Sequence, residues 1–301
     1  MSYSISKWFH PFSRFHKIPV FKRVWLYLAV MAGYTAAVYW LYENIFPARF
    51  LKDAANVGYA SLILGLLIVF RTNSAYERWW EGRKLWGQLV NESRNLAIKV
   101  KKYATASMQE KIHMGQLVIS FAYALMRHLR DTNPSENSFD PHQPVMVAET
   151  IYDKIQEWYK EGKLDGFTLG QLDQHARAFN DICGSCERIK STPLAVSYRA
   201  FIRQGIALNL LAVPWYSASA LPFWWSLPLI IVTSYFLIGL ELIAEDIEDP
   251  FGNDGDDLPI ESICGKISHT VNQILPSQTR PLQREIMMSL DTASANRVST
   301  R

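Results

Sequence analysis

Five aspartates crowd one short, glycine-punctuated stretch: Asp246, Asp249, Asp254, Asp256 and Asp257, with Gly252 and Gly255 among them. Oxygen ligands held in a tight turn suit a hard cation such as Ca²⁺. The order is not that of an EF-hand, because the alternating acidic positions and the closing Glu are missing. A plainer chemistry competes: a solvated acidic loop that caps the following helix, with Asp257 near its start. Other reactive residue types assemble no site. Cys183 and Cys186 form a C-x-x-C, yet no second Cys or His pair stands at zinc spacing, so both read as small packing residues. The seven His are scattered, and His128 and His175 read as surface or satisfied core positions. No dinucleotide, phosphate-loop or serine-nucleophile motif occurs. Nothing here has the makings of an enzyme.

A second pattern works by withholding chemistry. Leu62, Leu66 and Phe70 recur every fourth position and share one helix face. Such a stripe either packs into a core or, repeated around an axis, forms apolar rings that gate by dewetting. Beside it Ser61 and Gly65 make a small-xxx-small pair, which admits a second helix closely. The first charge, Arg71, follows Phe70 directly, and Trp79, Trp80 and Trp86 come where interfacial aromatics collect. No Pro interrupts residues 58–88, so one helix can run from an apolar segment into a charged, tryptophan-rich one.

The elements that must position these residues follow from hydropathy. Apolar residues are 49% of the 301 and mean hydropathy is near zero, an average that hides uncharged runs on either side of a polar middle. Residues 24–42 carry no charge and are about a bilayer long. Bulky Tyr39, Trp40 and Tyr42 stand where a signal-peptide cleavage site would need small residues, so this run is read as a retained span. Residues 204–240 lack any charge and suit two spans joined near 217–225, where Pro214, Pro222 and Pro228 flank Trp224 and Trp225. With the run before Arg71, that makes four spans. Lys and Arg cluster at 1–23, after the second span and before the third, which puts both termini and the middle region in the cytoplasm.

The middle region is patterned as helices over 83–103, 108–130 and 145–160, the last stopped near Gly162. Thr168 with Gln171 reads as a capping box opening a helix to Lys190, and 131–144 reads as a loop. No strand alternation is present. A net charge of +3 without a basic stripe excludes nucleic acid as partner, and three Cys exclude a disulfide framework.

At residues 70–88 (FRTNSAYERWWEGRKLWGQ), 186–193 (CERIKSTP) and 244–259 (AEDIEDPFGNDGDDLP), the chain resembles the bestrophin family of ion channels, in its bacterial branch. The resemblance covers about residues 8–278. It implies an all-α integral membrane protein: a homopentamer around an axial pore, each subunit with four transmembrane helices and a large cytosolic helical bundle. The expected organisation is one channel domain over 1–301. Its membrane helices are about 24–42, 54–80, 204–220 and 224–243, its cytosolic region about 81–203 and 244–278, and its tail 279–301.

The resemblance further implies that Leu62, Leu66 and Phe70 line the pore neck and that Ile189 lies at a second, cytosolic constriction. Asp246, Asp249, Asp254 and Asp257 match the positions that hold Ca²⁺ in eukaryotic members, although amides stand there at the first two. The expectation is therefore an ion channel of the inner membrane, with the bilayer, monovalent ions and its own copies as partners. Chloride is the family's ion, and some bacterial members favour cations. No cofactor is required, with Ca²⁺ at the acidic segment as the one candidate. The alternative is a membrane-anchored helical sensor or scaffold that conducts nothing.

Overall fold

The computed structural model describes residues 19–45, 57–130 and 143–276. The expected surface segment before residue 19, most of the loop 43–53, most of the loop 131–144 and the tail 279–301 lie outside the described residues. Eight helices are described: α1 (Pro19–Asn44), α2 (Val57–Tyr103), α3 (Met108–Arg130), α4 (Gln143–Lys160), α5 (Gly166–Ser191), α6 (Val196–Ala220), α7 (Phe223–Glu248) and α8 (Ile260–Ile274). No strand occurs among the described residues.

The chain divides into two compact units, one of residues 1–84 with 187–258, the other of 85–186 with 259–301. In the first, α1 packs against α6 and α7, and α6 against α7. Met31, Leu64, Ile68, Ile202, Ile206, Leu210 and Ile230 form its core. Both α1 and α7 are apolar around most of their circumference, which suits lipid better than one-sided packing. Only 28% of the apolar window of α7 and 33% of that of α1 is buried within the chain, so neither is a core helix. Trp25, Leu26, Leu229, Val232 and Phe236 point outward, more than half exposed.

These two helices alone, among the described residues, are long and apolar enough to cross a membrane. Of the other two expected spans, the described part of 54–80, residues 57–80 of α2, rises about 36 Å against about 30 Å of hydrocarbon and is charged from Arg71 onward. The uncharged part of α6, 204–220, rises about 25 Å and contains Pro214. The turn between α6 and α7 is confined to Leu221 and Pro222, inside the expected 217–225.

In the second unit α3 packs against α4 and α8. Phe121 and Phe179 stack at 5.0 Å between ring centroids, and Trp158 is wholly buried. Gly162 takes φ +72°, a conformation that side chains resist, and ends the α4 segment as expected. The cap of α5 differs from expectation. Asp165, not Thr168, supplies it, accepting the Thr168 N–H at 2.6 Å. A reciprocal capping box sits instead at α3. Ser107 N–H donates to Glu110 Oε2 at 2.8 Å, and Glu110 N–H donates to Ser107 Oγ at 3.3 Å. Hydrogen bonds from Lys163 and then Ser107 hold the Glu110 carboxyl down at about 2.

Candidate ion pathway and its polar support

Helix α2 has two faces of opposite character. Leu64, Ile68, Arg71 and Ala75 are buried on one. Leu62, Leu66 and Phe70 lie on the other at 75%, 57% and 55% exposure. With about 100° between successive residues, the two sets sit on opposite sides of the helix. The stripe is therefore no part of the chain's own core. Of the small pair beside it, Ser61 is used within the chain, since its Oγ accepts Asn209 Nδ2–H at 2.7 Å. A Cβ at Gly65 would meet no atom of the described residues within 4 Å, so none of them fills that notch. The close approach comes at Gly205, where a Cβ would lie 3.1 Å from Leu64 Cδ1.

From the end of the stripe onward, α2 is tied down by arginines. Arg71 is fully buried, with Nη2 2.6 Å from Glu248 Oε2 and Nε 3.6 Å from Glu241 Oε2. Arg203 reaches Glu241 at 3.1 Å and Glu245 at 2.8 Å, and Leu194 N–H donates to Glu248 Oε1 at 2.9 Å. Arg78 donates to three main-chain carbonyls: Glu248 at 3.0 Å, Thr192 at 2.5 Å and Ile189 at 2.6 Å. It thus caps the C-termini of α5 and α7, where the helix dipoles favour a cation. Sequence reasoning missed this network. The readable signal was the spacing of Glu241, Glu245 and Glu248, which shares one face of a helix uncharged up to Leu240 and demands cationic partners.

Ile189, near the C-terminal end of α5, has a side chain 3% exposed within the single chain. At the same end of α5, Arg188, Ser191 and Thr192 are the exposed residues, and Arg188 pairs with Glu81 at 2.7 Å. Trp86 departs from the interfacial expectation, since it is fully buried. Trp80 remains 47% exposed, and Trp79 donates its indole N–H to the Asp256 carbonyl at 3.1 Å.

The acidic segment is satisfied largely by its own chain. Asp246 pairs with Arg23 at 2.8 Å. Asp257 Oδ2 accepts the Asp254 N–H at 2.5 Å and occupies the space a Cβ on Gly252 would need, 2.6 Å away. Asp249 Oδ1 lies 3.5 Å from Phe251 N. Phe251 and Leu258 are buried against Gly82, whose missing Cβ would come within 3.3 Å of both. The segment is thus a loop seated on α2. Among the described residues no three His, Cys, Asp or Glu side chains converge on one point. Partial burial, together with the nearby Asp254, Asp249 and Asp246, pushes the Asp257 carboxyl up to about 6.

Cys183 and Cys186 are buried as packing residues, and no disulfide joins them. His175 is buried as well, its Nδ1 2.5 Å from Glu92 Oε2.

Known proteins share this architecture. A voltage-dependent anion channel-forming protein of Nostoc sp. is 34% identical over 232 residues, covering 71% of this chain and 75% of that protein. A protein of the same description from Synechocystis sp. is 31% identical, covering 84% and 86%. A crystal structure of a bacterial bestrophin homologue from Klebsiella pneumoniae superposes with a TM-score of 0.74 at 21% identity, covering 84% of this chain and 98% of that one. At that identity the likeness speaks for the fold alone. The family model described as bacterial/fungal bestrophin protein matches residues 2–273, nearly the whole chain, and the chain belongs to that family.

Proposed function

We propose that the chain is the subunit of a homopentameric ion channel of the inner membrane. Monovalent ions pass down their gradient through an axial neck lined by Leu62, Leu66 and Phe70, with no catalytic step. One observation carries this reading: three large apolar side chains stand exposed on α2 while its opposite face is buried in the chain. Copies of α2 around an axis would turn the stripe into stacked apolar rings, which offer an ion nothing in place of its hydration shell. An apolar groove of about 830 Å³ between α2 and α7, lined by Val69, Tyr76, Ile243 and Ile247, supplies a surface for a neighbouring copy. Four membrane helices and cytoplasmic termini complete the arrangement, on the apolar runs and the Lys/Arg distribution already described.

The names of the relatives point to anions. The apolar neck itself is indifferent to the sign of charge. The acidic segment serves in this proposal as a structural clasp on α2 that functions without a resident cation. Ion flux into liposomes holding only the purified protein tests the reading. A folded oligomer that passes no ions would favour the membrane-anchored scaffold instead.

A further inference from the structure

The exposed face of α2 does not end at Phe70. Asn73 and Glu77 follow on it, both exposed, and Asn73 Nδ2–H donates to Glu77 Oε1 at 2.9 Å. Seven residues separate Phe70 from Glu77, a rotation of about 20° and a rise of about 10.5 Å. Glu77 therefore projects from the same side of the helix as the neck stripe, just past its end.

Three neighbouring charges are otherwise engaged. Arg71 is buried against Glu248, and Arg78 turns to the carbonyls of Ile189, Thr192 and Glu248. Glu81 pairs with Arg188. Among the described residues no cation lies within ion-pair distance of Glu77. Lys84 shares the face about 10.5 Å further along, on the side away from the neck.

We infer that Glu77 is the residue that sets the charge preference of the channel, and that it selects cations. This rests on the channel reading above. Repeated around the axis, the Glu77 carboxylates form a ring at the inner mouth of a neck that carries no charge of its own, and such a ring concentrates cations and repels anions. The hydrogen bond from Asn73 orients the carboxylate without neutralising it.

The test is the reversal potential of the purified full-length protein in planar bilayers under a KCl gradient. The wild type should reverse on the cation side, Glu77→Gln should lower the cation-to-anion permeability ratio several-fold, and Glu77→Lys should carry it to the anion side. A measurement on unaltered protein stands beside the variants in case they misassemble. Wild-type selectivity should fall as symmetric background salt rises from 0.1 M to 1 M, because the screening length contracts from about 10 Å to about 3 Å. Current that reverses on the anion side, or a reversal potential unmoved by Glu77→Gln and by salt, would overturn the inference while leaving the channel intact. Absence of any wild-type current would instead remove the channel reading and this inference with it.

Discussion

Arg71 and Glu248 meet at 2.6 Å with side chains 0% and 5% exposed, joining the neck helix to the end of α7. Both charges have left water, so their attraction is set against a large desolvation cost, and removing one partner strands the other. Arg71→Met should therefore cost about 3–5 kcal/mol of stability. Thermal unfolding in detergent measures it, and adding Glu248→Gln to Arg71→Met should recover part of the loss. A single variant within about 0.5 kcal/mol of wild type would mean that water reaches the pair.

Ile189 separates core from pathway. Because its side chain is packed inside the chain, Ile189→Ala should destabilise by about 2–5 kcal/mol and leave single-channel conductance no larger. A stable protein with raised conductance would place this residue at a constriction.

Asp257 gives the acidic clasp a pH signature. Its folded pKa of about 6 lies above the ordinary 3.8, so between those values the folded state holds more protons than the unfolded. The contribution of this group to stability is then greatest below about pH 4 and falls as pH rises to about 6. Asp257→Asn keeps an oxygen for the Asp254 N–H but removes the charge. Its melting temperature should exceed that of wild type at pH 7 and converge with it at pH 4, with or without Ca²⁺. A calcium-dependent rise in wild type that the variant lacks would show instead a cation site built from these aspartates.

The Ser107–Glu110 box is accessible to a simple test. Ser107→Ala removes the side-chain acceptor for the Glu110 N–H and should cost about 0.5–2 kcal/mol, read by chemical or thermal unfolding. No change would mean that water replaces the cap fully.

Much of this was readable in the sequence, for identifiable reasons. Helical spacing and the absence of Pro made one helix through 58–88 legible, and α2 extends it to 47 residues. Gly162 and the short turn before α7 were readable because Gly and Pro act locally. What escaped were the features set by partners distant in sequence. Arg71 looked like the first interfacial charge because its neutralising carboxylates lie some 170 positions away, 177 in the case of Glu248. Trp86 was misplaced because hydropathy does not say which side of an amphipathic helix its neighbours cover. The acidic segment matched a ligand pattern by type, while its actual partners, Arg23 and the Asp254 amide, depend on the folded loop.

The exposed face of α2 looks either onto packed protein or onto a pore, and the two respond oppositely to truncation. In a packed core, Leu66→Ala costs about 2–5 kcal/mol through lost burial and a cavity. At a pore, little packing is lost and the widened ring hydrates more readily. The decisive measurement is single-channel recording of Leu66→Ala beside its oligomeric state. Normal assembly with raised conductance or open probability is the predicted result. Loss of the folded oligomer with no gain in current would contradict it.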